Sequence, residues 1–168
     1  MKLREIDKAV YSRRVKLVFA GIVVALTVLA LALSTLYIRL FSTPEAPHFW
    51  HNLAGVATAA VLVVWALNRL RGHPWLDEVV YVWDLKQMLN RIYRKQKKIE
   101  AAAERGDVNA MKIMNFQLQG SRQLYHLDDN TITLDALLIK LEASKRRMEA
   151  AGLDTEHPEL DPSLLDLY

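Results

Sequence analysis

The chain has 168 residues, 52 % of them hydrophobic and 24 % charged, with a formal net charge of +3 and no cysteine. This length suits one domain, or one small domain with an appendage. Absence of cysteine excludes disulfides, thiolate zinc sites, iron–sulfur clusters and a cysteine nucleophile, and the composition excludes disorder, collagen and a disulfide scaffold. Mean hydropathy is +0.04, an average over two long apolar stretches and a charged remainder. That division points to a small all-α membrane protein with a helical soluble part.

Residues 1–16 form a basic N-terminus with Lys2, Arg4, Lys8, Arg13, Arg14 and Lys16. From Leu17 to Ile38 no residue is charged. As a helix at about 1.5 Å per residue this run covers about 33 Å, enough for a hydrocarbon core of about 30 Å. The Val, Leu, Ile and Phe residues between Val18 and Leu36 favour insertion by roughly 3–7 kcal/mol. The run is too long for the apolar part of a signal peptide, and Tyr37 to Phe41 is no small-residue cleavage site, so residues 17–38 are predicted as an uncleaved transmembrane helix. A short external loop, 39–48, follows.

The second charge-free stretch, Ala46 to Asn68, has its apolar core from Leu53 to Leu67. Phe49 and Trp50 near one end and Trp65 near the other suit interfacial belts, and residues 49–69 are predicted as the second span. Six basic residues precede span one and Arg69 and Arg71 follow span two, against Arg39 alone in the connection. The positive-inside rule then places both termini in the cytoplasm.

Gly72-His73-Pro74 breaks the chain, and Pro74 fits the first position of a new helix, with Asp77 and Glu78 in its first turn. Apolar residues at 75, 79, 82, 85, 89, 92, 99 and 103 predict a helix from about Trp75 to Glu104. Gly106 ends it, and Asp107 caps a second helix over about Val108 to Leu127. Its stripe is Met111, Met114, Phe116, Leu118, Leu124 and Leu127, and Asp128-Asp129-Asn130 stops it. A third helix, about Ile132 to Ala151, takes Thr131 or Thr133 as its cap, carries Leu134, Leu137, Leu138, Leu141 and Met148, and stops at Gly152. Such short connections predict a cytoplasmic antiparallel three-helix bundle over residues 74–153. Residues 154–168 carry five acids, no base and two prolines, and read as a mobile acidic tail, although Leu164, Leu165, Leu167 and Tyr168 could dock.

The motifs HPWLDEVVYVWDLKQMLNRIYRK and AAAERGDVNAMKIMNFQLQGSRQLYHLDDNTIT, preceded by WHNLAG at the head of span two, resemble a bacterial family. It is catalogued as domain of unknown function 3087 and comprises short gammaproteobacterial proteins with two predicted spans. The resemblance covers most of the chain and least clearly the tail. It implies an inner-membrane location and brings no activity, cofactor or functional residue.

Few residues invite chemistry. His48 and His51, with Glu45, could converge on one helical turn as metal ligands, but they read more simply as interfacial imidazoles beside Phe49 and Trp50. His126 next to Asp128 and Asp129 could be a base with an orienting carboxylate; the same residues serve as ordinary helix-end caps. Ser121 lacks a nucleophile elbow, and no phosphate-cradling glycine loop occurs. Neither span carries a central ionisable residue, which disfavours transport. No enzyme activity, cofactor, metal, nucleic acid or small-molecule substrate is expected.

Two surfaces remain. Arg91, Arg94, Lys95, Lys97 and Lys98 form a basic cluster that could face anionic lipid, a protein partner or the chain's own acidic tail. Lys95 lies about 32 Å beyond Pro74 along a helix, so these cations meet headgroups only if that helix lies flat on the membrane. Gly21 with Ala25, and Gly55 with Ala59, repeat at small-xxx-small spacing and could pack the spans on each other, on a second copy or on another membrane protein. The leading expectation is a membrane-anchored helical adaptor or accessory subunit, binding the lipid bilayer through its spans and a protein partner or itself through the bundle. The alternative is a peripheral sensor of anionic lipid or envelope state acting through the basic helix, and the third option is a membrane enzyme.

Overall fold

Apolar runs and amphipathic stripes dominate the sequence, and 81 % of the described residues are helical, with no strand element among them. The computed structural model describes residues 1–43, 47–130, 134–156 and 158–168. Among the described residues five α-helices follow one another: α1 Lys8–Phe41, α2 Phe49–Leu70, α3 Asp77–Glu104, α4 Val108–Leu127 and α5 Leu134–Ala150. Short 3-10 turns cover Pro74–Leu76 and Pro162–Leu167. The chain divides into two compact units, Ala9–Val80, and Met1–Lys8 with Tyr81–Tyr168.

In the first unit, helix α1 begins within the basic segment, well before Leu17, and runs beyond Ile38. Both α1 and α2 are long and apolar enough to cross a membrane. Their large side chains are mostly exposed, Phe19 at 69 %, Leu31 at 66 % and Val61 at 67 % among them. They meet along a narrow seam. Gly55 is buried against Ser34, where a Cβ would come within 2.6 Å of the Ser34 main-chain nitrogen. Ala59 and Val63 continue the seam, and Tyr37 and Thr58 share a hydrogen bond of 3.1 Å between hydroxyls. At the opposite end of this unit Arg14 pairs with Glu78 and lies 5.8 Å from the Trp75 ring centroid.

In the second unit the amphipathic helices bury their stripes. Val82, Leu85, Ile92 and Ile99 of α3 are almost fully buried, as are Ile113 and Phe116 of α4 and Leu141 and Met148 of α5. Gly120 lets α4 approach α3: a Cβ there would sit 3.2 Å from Leu85 Cδ1 and 3.3 Å from Leu89 Cδ2. Leu118 of α4 packs with Leu137 and Leu141 of α5, and Tyr125 leans on the cluster. Helix ends follow local chemistry. Gly106 and Gly152 take φ of +89° and +69°, where side chains are strained. The Asp107 side chain accepts from the Asn109 and Ala110 N–H groups at 2.9 and 3.1 Å. Asp129, just past α4, also has positive φ. The cap expected at Thr131 or Thr133 lies outside the described residues.

Of the two readings of the acidic segment, docking prevails over a mobile tail across residues 158–168: Leu160 is 0 % and Leu165 1 % exposed. Leu160 N–H donates to the Met1 carbonyl at 2.8 Å and Leu3 N–H to that of Pro158 at 3.3 Å, giving a short antiparallel bridge between Lys2 and Glu159. The Gln119 amide donates to the Thr155 carbonyl at 2.7 Å. Leucines on a charged segment still gain about 1.5–3 kcal/mol each by full burial, and the carboxylates stay at the surface. Asp161, Glu159 and Asp166 are exposed.

Candidate functional site

The exposed side of α3 carries the basic cluster, which the structure divides. Lys95 Nζ donates to the Leu165 carbonyl at 2.6 Å and Lys98 Nζ to the Tyr168 main-chain oxygen at 2.9 Å. These lysines hold main-chain oxygens of the C-terminal segment and form no ion pair with its carboxylates among the described residues. Arg91, Arg94 and Lys97 are exposed, and no ion pair engages them among the described residues. Tyr93, 70 % exposed, stands beside them, and with Arg94, Lys98 and Tyr168 it lines a shallow cavity of about 720 Å3. The Tyr168 phenol is pushed above its ordinary pKa by burial and by the Asp107 carboxylate.

A second concave region, of about 820 Å3, lies between the N-terminal segment, the end of α4 and α5. Arg4 binds this segment to the helices. Its N–H donates to the Tyr81 hydroxyl at 3.1 Å, that hydroxyl donates to Gln123 Oε1 at 3.1 Å, and the Gln123 amide donates back to the Arg4 carbonyl. The Arg4 guanidinium stacks 4.5 Å from the Tyr81 ring centroid. Burial raises the Tyr81 pKa. His126 lines this region, yet lysines engage the neighbouring carboxylates: Lys8 pairs with Asp129 and Lys86 with Asp128 at 2.8 Å. The Lys8 hydrogen bond and charge hold the Asp129 carboxyl below its ordinary range. These contacts give the two acids structural partners.

In the first unit, His48 Nδ1 and Ser42 Oγ share a hydrogen bond of 2.9 Å. The His48 and His51 rings lie 6.4 Å apart between centroids. Glu45 lies outside the described residues, and no group of three metal-ligating side chains occurs among those described. The two small-residue pairs differ: Gly55 and Ala59 sit in the α1–α2 seam, whereas Gly21 has nothing within 4 Å of a Cβ position and Ala25 is half-buried.

The Arg4–Tyr81–Gln123 triangle and the Arg14–Glu78 pair escape sequence reasoning. Residues 77 apart in sequence carry no shared periodicity, and a basic N-terminus reads as topology signal first. Together these features define a small all-helical protein with two span-length apolar helices and an amphipathic helical unit closed by its own ends. Residues 1–165 match the family described as Protein of unknown function (DUF3087), and the chain belongs to that family. No curated protein and no solved structure matches it.

Proposed function

We propose that the protein is a membrane-anchored helical adaptor or accessory subunit. In this reading α1 and α2 cross the bacterial inner membrane as a hairpin with both termini cytoplasmic. Helices α3, α4 and α5 form an antiparallel bundle presented to a protein partner.

The unequal use of apolar surface supports this. The most apolar window of α1 is 0 % buried and that of α2 11 %, while α3 to α5 turn their stripes inward. Side chains such as Phe19, Leu31 and Val61 need an apolar solvent, and lipid supplies it. The lipid-sensor alternative draws less support. It needs Val82 at the membrane interface with Trp75, Val79 and Trp83, and Val82 is 1 % exposed.

The test has two arms. A reporter active only in the cytoplasm should work when fused after Tyr168 and fail when inserted after Glu45; the reverse pattern sinks the orientation. Purification of the tagged chain in mild detergent should yield a stoichiometric protein partner, and recovery of anionic lipid alone would favour the sensor.

A further inference from the structure

A groove of about 380 Å3 runs between α3 and α5 over α4. Each helix contributes a stripe of residues, from Tyr93 to Glu104 on α3, from Met114 to Tyr125 on α4 and from Leu137 to Arg147 on α5. At 1.5 Å per residue these stripes are each about 16 Å long, or about three helical turns. The floor carries Met114, Leu118 and Tyr125 beside the polar Gln117 and Ser121, and no charge. Met114 is half-buried, and a flexible thioether adapts to varied apolar partners.

The walls differ in sign. The charged residues lining the α3 side are Glu100 and Glu104; those lining the α5 side are Lys140 and Arg147. No ion pair joins the two walls among the described residues. Glu100 accepts from the Gln96 amide at 2.7 Å, and Glu104 and Arg147 are exposed. An uncharged floor with Met114, Leu118 and Tyr125 between an acidic and a basic wall matches a helix with an apolar stripe, cations along one flank and carboxylates along the other. A nucleic acid strand would be repelled by the acidic wall, and an acyl chain would use neither wall.

We propose that this groove receives an amphipathic helix of a partner protein, about 11 residues long where it makes contact. Its cations face Glu100 and Glu104 and its carboxylates face Lys140 and Arg147. The inference rests on the adaptor reading and adds the chemistry of the partner. Pairs at such a rim set register and specificity more than affinity.

The absence of cysteine allows single-site labelling of the full chain in detergent. Ala143→Cys at the groove rim would carry an environment-sensitive dye, and Lys112→Cys, exposed on α4 outside the groove, would be the control. The probes are three stapled helices sharing one leucine stripe: one with a lysine flank and a glutamate flank, one with two lysine flanks, one with two glutamate flanks. The mixed-flank probe should bind the wild-type chain tightest, by about tenfold over the others, with a response at residue 143 and none at 112.

Glu100→Lys with Glu104→Lys should pass the preference to the double-glutamate probe, and Lys140→Glu with Arg147→Glu to the double-lysine probe. Opposite shifts of this kind cannot arise from misfolding. Equal binding of all three probes, unchanged preference in the variants, no binding at all, or a dye response to added unlabelled chain in place of probe would each overturn the proposal. If a partner co-purifies equally with wild type and the Glu100→Lys, Glu104→Lys variant, the groove assignment falls and the adaptor reading stands. If no partner co-purifies while probe preferences hold, the adaptor reading falls instead.

Discussion

Gly21 and Gly55 share one sequence pattern and have different surroundings. An alanine at 55 would bring its Cβ to 2.6 Å from Ser34 N and 2.7 Å from Ser34 Cα, main-chain atoms that move only if α1 and α2 separate. Gly55→Ala should therefore cost about 1–3 kcal/mol, read as a lower midpoint in thermal unfolding of the detergent-solubilised chain. Gly21→Ala meets open space and should be neutral or stabilising by up to about 1 kcal/mol. Equal effects at both sites would show that the seam is not where Gly55 puts it. The spacing marked both glycines, and only the partner helix distinguishes them.

Single side chains also set the pH range. Backbone N–H groups hold the carboxyls of Asp107 and Asp161 below the ordinary 3.8. Their contribution to stability is present above that value and is lost as pH falls through the lower folded-state values. Tyr81 and Tyr168 are raised above the ordinary 10.0, chiefly by burial. Each stays neutral in the folded chain, so its contribution is complete below pH 10.0 and is lost as pH rises through the raised values. Tyrosinate absorbance should show a late-titrating fraction above that pH, diminished in Tyr81→Phe and again in Tyr168→Phe. A titration unchanged by either substitution would contradict this.

Among the elements, α5 and the C-terminal segment test what holds the second unit. Leu141 is 2 % and Leu165 1 % exposed, and alanine at either should cost about 2–5 kcal/mol. Leu167, 64 % exposed, should tolerate alanine within about 0.5 kcal/mol. Limited proteolysis gives a second measurement, since Leu165→Ala should make residues 158–168 cleavable while the helices persist. A Leu165→Ala chain as resistant as wild type would mean that this leucine does not hold the segment.

Helix ends were readable because Gly106-Asp107 and Gly152 act on their neighbours. The stripes were readable in outline, although Ile113 and the small polar Ser144 are buried too. Docking of residues 158–168 was readable only as one of two alternatives, and Leu160 not at all, because four leucines among carboxylates and prolines show no helical periodicity and their partners lie far away in sequence. The five cations of α3 stood out as a cluster. That Lys95 and Lys98 grip main-chain oxygens near residue 168 depends on that same distant contact.

For the whole molecule, the division of apolar surface makes a prediction that separates the adaptor from the sensor. A photoreactive probe dissolved in the bilayer should label exposed positions of α1 and α2 such as Leu31, Val61 and Val64. It should spare Trp83 and Tyr93, which are exposed at 60 % and 70 % but belong to the other unit. Strong labelling of Trp83 would place α3 in the interface and favour the lipid sensor.

The bridge between the two ends of the chain imposes an order of assembly. Met1 and Leu160 bond to each other across a sequence separation of 159 residues. At about 5–20 residues per second of synthesis, the N-terminal residues wait about 8–30 s for that partner to emerge. Throughout this interval Lys2 lacks its bridge to Glu159, while Tyr81, 77 residues beyond Arg4, and both apolar helices have emerged well before it ends. Emergence of both apolar helices therefore precedes closure, and Met1 meets its partner only when Leu160 arrives. The second unit is thus completed only once residue 160 has emerged, and a ribosome stalled short of that point would display a chain whose bridge between Lys2 and Glu159 is still unmade.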